Sequence, residues 1–197
     1  GANEDIVNLT SDGTSSISLG NGNNQLNLVG NGINSITAGV DNDSINIVGG
    51  VSNKLSLGAG DNQVDVRGSM SNAITTGLGN DIINVQSGDN IIRAGDGENV
   101  IRVVSLGTQN IVTGAGNDSI ELNSGNIILN SGAGNDNIVI NQSSTSSNNS
   151  INLGDGDDFI EINAVVGSST INGSIGNDQF IIHNNSVKLN DGGGNNI

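Results

Sequence analysis

The chain has 197 residues and a formal net charge of −15, with 20 acidic residues against five Lys and Arg. It holds 31 Gly, no Pro, Cys, Trp or Tyr, and only two aromatic residues, Phe159 and Phe180. This balance argues against nucleic acid and anionic membrane surfaces as partners, and it excludes a disulfide framework and thiolate metal sites. No stretch approaches the roughly 18 consecutive apolar residues of a transmembrane helix. No charged-then-apolar leader opens the chain, so an export signal is expected to lie outside it. Apolar residues make up 33 % and are nearly all Ile, Val, Leu and Ala, a set suited to a thin β core.

From its first residue the chain repeats. Gly1, Gly20, Gly39, Gly58, Gly77, Gly95, Gly114, Gly132 and Gly154 each open a turn, continued by Ser174 and Gly192. The steps are 18 or 19 residues as far as Gly132, then 22, 20 and 18. With the opening residue as position zero, positions six and eight are apolar in every coil. They run Val7/Leu9, Leu26/Leu28, Ile45/Ile47, Val64/Val66, Ile83/Val85, Ile101/Val103, Ile120/Leu122, Ile138/Ile140, Ile160/Ile162 and Phe180/Ile182. The residue between them is mostly polar, the period-two pattern of a strand with one buried face. A second apolar column stands three residues before each opening residue, from Ile17, Ile36 and Leu55 through Ile111 to Ile171 and Leu189.

Each coil therefore carries two short strands and two turns. Strands of four or five residues bury a face only when stacked on copies of themselves, which predicts an all-β, parallel β-solenoid of about ten coils of 18–22 residues. At ~4.8 Å per coil it forms a rod on the order of 50 Å long. The chain reads as one domain, 1–197, expected to belong to a longer repeat protein because the last coil stops mid-turn at "DGGGNNI". Residues 141–150, "NQSSTSSNNS", are expected to bulge as a polar loop.

The first turn of each coil is written in Gly and Asx: Gly-Leu-Gly-Asn-Asp at 77, Gly-Ala-Gly-Asn-Asp at 114 and 132, Gly-Asp-Gly-Asp-Asp at 154. Position two is Gly except at Asn3 and Asp41, residue types that tolerate a left-handed backbone. Position four is Asp or Asn in every coil, Asp in seven of eleven: Asp5, Asp43, Asp81, Asp118, Asp136, Asp158 and Asp178. A column of carboxylates one coil apart repels itself, so these turns are read as cation sites. Ca²⁺ takes six to eight oxygens, more than one turn supplies, and the expected ligands are those Asp with carbonyls presented by Gly114, Gly116, Gly132, Gly134, Gly154 and Gly156, each ion shared by adjacent coils. From Asp118 onward the column is unbroken Asp, joined by Asp155 and Asp157, and the sites there are expected to be tighter than in the first half.

These turns resemble the RTX (haemolysin-type) nonapeptide Gly-Gly-x-Gly-x-Asp-x-U-x. The resemblance covers essentially the whole chain, and its one-sided 19-residue coils are closest to the solenoids of RTX adhesins. It departs where the first Gly is replaced by Leu19, Ala38, Leu57, Thr76, Ala94, Thr113 or Ser131. It implies several Ca²⁺ ions, type I secretion and an extracellular or bacterial cell-surface location.

On the opposite turn stands a column of amides, Asn34, Asn53, Asn72, Asn90, Gln109 and Asn149, expected to bond one another and the turn backbone. No nucleophile–base pair presents itself and His183 is the one His, so no enzymatic activity is expected. The expected role is a calcium-stabilised structural rod of a surface layer, adhesin stalk or filament, associating end to end or with further repeats. The alternatives are a folding and secretion module at the end of a type I-secreted toxin or enzyme, or an ice-binding adhesin region. Against ice binding, the outward file at position one (Ala2, Asn21, Val40, Ala59, Leu78, Asp96, Ala115, Ala133, Asp155, Ile175) contains no Thr.

Overall fold

A computed structural model describes residues 1–141, 147–163, 168–183 and 186–195. Its strands alternate between two ten-stranded parallel sheets. The odd-numbered strands, from β1 (Ile6–Thr10) to β19 (Gln179–Ile182), stack in chain order, and so do the even-numbered ones, from β2 (Ser15–Ser18) to β20 (Val187–Asn190). Among the described residues there is no helix, hence none long and apolar enough to cross a membrane. Parallel strands need a crossover to return in the same direction. Here each half-coil is the crossover for the other.

The register follows the sequence columns. Val7 pairs with Leu26, Leu26 with Ile45 and Ile45 with Val64, and the same file continues through Ile120 and Ile138 to Ile160 and Phe180. In the facing sheet Ile17 pairs with Ile36, Ile36 with Leu55 and Leu55 with Ile74. A slip of one residue would turn a whole file outward, so burial of these files fixes the register. Between the sheets lies one continuous apolar core in which Leu28, Ile47, Val66, Ile83, Ile101 and Ile138 are all but inaccessible.

The core has one more file than expected. The residue just before each opening Gly points inward, with Leu19, Leu57, Ala94 and Leu153 buried and Thr76, Thr113 and Ser131 standing in the same file. Within the segment read as a polar loop, residues 142–146 lie outside the described residues. Ser147 and Asn149 are buried, and Asn149 and Ser150 belong to β16 (Asn149–Asn152), which rejoins the second sheet.

The opposite turn holds the amide ladder. Asn34 Nδ2 donates to Asn53 Oδ1 (2.8 Å), Asn53 to Asn72 (3.0 Å), Asn72 to Asn90 (2.7 Å) and Asn90 to Gln109 Oε1 (2.7 Å). Spare protons go to turn carbonyls such as Gly49 and Gly88. The ladder stops where Ile127 takes the place of the amide, and Asn149 Oδ1 then accepts from the Ile127 backbone N–H (3.1 Å).

Candidate metal centre

The Gly-rich turn is compact because its coils touch backbone to backbone. Gly156 has φ +141°, and a Cβ built on it would fall 2.0 Å from the Gly134 carbonyl oxygen one coil below. Gly134 stands in the same relation to Gly116, with φ +127° and 2.2 Å. At these coils position two therefore has no room for a side chain, and its carbonyls form a tight stack. Of the two non-Gly residues at position two, which tolerate a left-handed backbone, Asp41 adopts it (φ 86°), joined by Ser174 at position zero (φ 67°). Asn3, in the exposed first turn, does not. Backbone bonds knit the same turns: Gly116 N–H donates to the Ala133 carbonyl (2.8 Å), Gly134 to Asp155 (2.8 Å) and Gly156 to Ile175 (2.8 Å).

Inside this stack lie the position-four side chains. Asp43, Asp81, Asp118, Asp136, Asp158 and Asp178 are each 2 % exposed or less, as are Asn24, Asn62 and Asn99 between them. Each reaches back one coil: its Oδ1 accepts the backbone N–H of the preceding position-four residue at 2.8–3.1 Å, from Asp5 N–H to Asn24 up to Asp158 N–H to Asp178. Asp5 belongs to the same column but is exposed. The neighbouring position-three residues reach the other way. Asn23, Asn42, Asp61, Asn80, Asn117, Asn135, Asp157 and Asn177 accept from the N–H of the next coil's position three at 2.7–2.9 Å. Adjacent residues of one turn thus bind the coil above and the coil below.

One carboxylate oxygen is left over. Oδ2 of Asp43, Asp81, Asp118, Asp136 and Asp158 is buried with no hydrogen-bond partner. An ionised carboxylate so placed lacks a compensating proton or cation, a costly state. The titration follows from this. Burial pushes Asp43, Asp81 and Asp118 above the ordinary range, although Thr76 beside Asp81, Thr113 beside Asp118 and hydrogen bonds from Asn24, Asn62 and Asn99 pull the other way. Burial takes Asp136 up to about 6 and Asp158 up to about 7, the latter also raised by the carboxylates of Asp136 and Asp178.

Among the described residues no three carboxylate, imidazole or thiolate groups converge on a point. A cation held here would take most of its oxygens from the backbone, which suits hard, oxygen-seeking Ca²⁺. The residues present fit that ion: a buried carboxylate oxygen without a partner, in a stack of Gly carbonyls at Gly114, Gly116, Gly132, Gly134, Gly154 and Gly156. His183 is exposed and stands outside this column, beyond the end of β19. Sequence reasoning located the column but did not foresee that its side chains also tie coil to coil. The signal for the additional inward file was present as a second period-two step, Ile17 to Leu19 and Leu55 to Leu57.

The family profile of the RTX calcium-binding nonapeptide repeat (4 copies) matches residues 67–101, 105–138 and 144–161. No curated protein and no solved structure matches the chain.

Proposed function

We propose that this chain, which carries RTX calcium-binding nonapeptide repeats on a parallel β-solenoid, is a calcium-stabilised extracellular structural rod, a stalk, lattice or filament segment without enzymatic activity. The observation that carries the reading is the set of buried, partnerless Oδ2 atoms at Asp43, Asp81, Asp118, Asp136 and Asp158. A divalent ion at each of these Asp turns answers that charge, bridges adjacent coils and adds its binding energy to folding. In calcium-poor cytosol the −15 charge opposes compaction, and outside the cell the ions allow it.

The sites are graded. Asp43 is flanked in its column by Asn24 and Asn62, whereas Asp158 stands between Asp136 and Asp178 and feels both. A cation relieves more repulsion in the second half, so the turns of Asp118 to Asp178 bind more tightly.

Circular dichroism with calcium, and again after chelation, tests the central claim. The expected result is a large drop in melting temperature on chelation, and identical melting in both conditions would overturn it. A calorimetric titration tests the grading: two classes of site are expected, and one uniform class would remove it.

A further inference from the structure

The position-four column mixes two residues: Asn24, Asn62 and Asn99 alternate with Asp43, Asp81 and Asp118 before the run of Asp begins. From Asn24 to Asp178 Oδ1 is fixed by the same bond to the preceding backbone N–H. The second terminal atom of the side chain therefore falls at an equivalent point of each turn. At Asp43, Asp81, Asp118, Asp136 and Asp158 that atom is the partnerless Oδ2.

In the Asn turns it is Nδ2, and it donates to carbonyls of its own turn. Asn24 Nδ2 donates to the Gly22 carbonyl at 2.6 Å, Asn62 to Gly60 at 2.8 Å and Asn99 to Gly97 at 3.0 Å, always the position-two Gly of its own turn. Asn24 and Asn99 also approach the opening Gly carbonyls, Gly20 at 3.4 Å and Gly95 at 3.2 Å. Both donate to the Oδ1 of the next coil's Asp, Asp43 at 2.8 Å and Asp118 at 3.0 Å. The amide NH₂ of Asn24 and of Asn99 is thus surrounded by two carbonyls and a carboxylate, a set of oxygens that otherwise suits a cation. An ionised Asp at the same place has no proton to give them.

A second difference separates the turns. The inward residue before the opening Gly is Leu19, Leu57 or Ala94 in the Asn turns. Before Asp81, Asp118 and Asp136 it is a hydroxyl, Thr76, Thr113 or Ser131, each beside the carboxylate of its own turn and donating to the carbonyl of the next coil's inward residue. All three hydroxyls go with carboxylates, whereas the turns of Asp43 and Asp158 carry Ala38 and Leu153 in that file.

We infer that the side-chain amides of Asn24, Asn62 and Asn99 occupy the place a divalent cation takes in the Asp turns, so that the chain contains two kinds of turn: one closed by its own amide and metal-free, the other completed by a cation. This rests on the calcium reading of the Asp turns and adds to it which turns take no metal. Alternation in the first half also spaces the carboxylates two coils apart, about 10 Å instead of about 5 Å, which lessens their repulsion when no ion is present.

Equilibrium dialysis against calcium, with thermal melts in calcium and in chelator, tests this on the full chain. Asn62→Asp is expected to bind one more ion per chain than the wild type and to melt lower in chelator. Asp81→Asn is expected to bind one fewer and to melt in chelator no lower than the wild type. An Asn62→Asp chain that folds with calcium but binds no additional ion overturns the inference. So does an Asp81→Asn chain that melts lower in chelator, and this second variant decides the matter if the first does not fold. A wild type that binds no calcium defeats the calcium reading instead; the amide assignment then stands or falls on the chelated melt of Asp81→Asn.

Discussion

Raising the pH from 5 to 8 in calcium-stripped protein should destabilise the fold by about 4 kcal/mol through two residues. Asp158 holds its proton in the native state up to about 7 and Asp136 up to about 6, against an ordinary value of 3.8. A carboxyl whose folded pKa is raised keeps a proton that the unfolded chain has released, so stability present in acid is lost as pH rises through the folded pKa. Each pH unit of that interval is worth about 1.4 kcal/mol per group. From pH 5 Asp158 traverses about two such units, about 3 kcal/mol, and Asp136 about one, about 1.4 kcal/mol. Asp43, Asp81, Asp118 and Asp178 move in the same direction. Against a typical domain stability of about 5–15 kcal/mol, this is a large fraction. Guanidinium unfolding of resin-stripped protein at the two pH values, followed by circular dichroism, measures it. Saturating calcium should flatten the dependence by taking the place of the protons, and Asp158→Asn should remove most of the slope. Stability that rises from pH 5 to 8 without calcium would refute the reasoning, since it would mean that the column is ionised and compensated by the protein itself.

Gly156→Ala should destabilise the rod by about 1–3 kcal/mol through its left-handed backbone alone, with the contact on the Gly134 carbonyl adding to that. A thermal melt in calcium indistinguishable from wild type would contradict the backbone stack. Ile83→Ala, at a fully buried point of the first sheet, should cost about 2–5 kcal/mol in urea unfolding with or without calcium. Asn72→Ala removes the donor to Asn90 Oδ1 and the acceptor of Asn53 Nδ2; an orphaned buried polar group costs about 1–3 kcal/mol. Because that ladder lies on the turn opposite the Gly stack, added calcium should not restore the loss, and a full rescue by calcium would show the two edges to be coupled.

The architecture was legible because one constraint was written ten times. A file such as Leu9, Leu28, Ile47, Val66 has meaning only if coils stack in register, and the pairing follows it residue by residue. The Asx column was legible for the same reason. What the column does inside the turn was not. Nothing in the letter Asp tells whether its Oδ1 meets a cation or the backbone N–H of the coil before, a choice made by the close approach that Gly134 and Gly156 allow. The amides opposite were easier to interpret: Asn34, Asn53, Asn72 and Asn90 recur at one coil spacing in a file with no ionised partner, so their protons had only each other and the turn carbonyls. Asn3 and Asp41 both tolerate a left-handed backbone by residue type, but only Asp41 adopts it, because residue type allows that conformation without imposing it.

Strand pairing between coils, both side-chain-to-backbone ladders and the amide file all run along the rod. A pull along that axis therefore loads the junctions in series, and the rod is as strong as its weakest coil-to-coil contact. Each coil that peels away releases about 19 residues, about 65 Å of extended chain in place of the ~4.8 Å it occupied. Such a rod would lengthen stepwise under tension and absorb work without breaking, and calcium in the surrounding medium would set the force at which each step gives way.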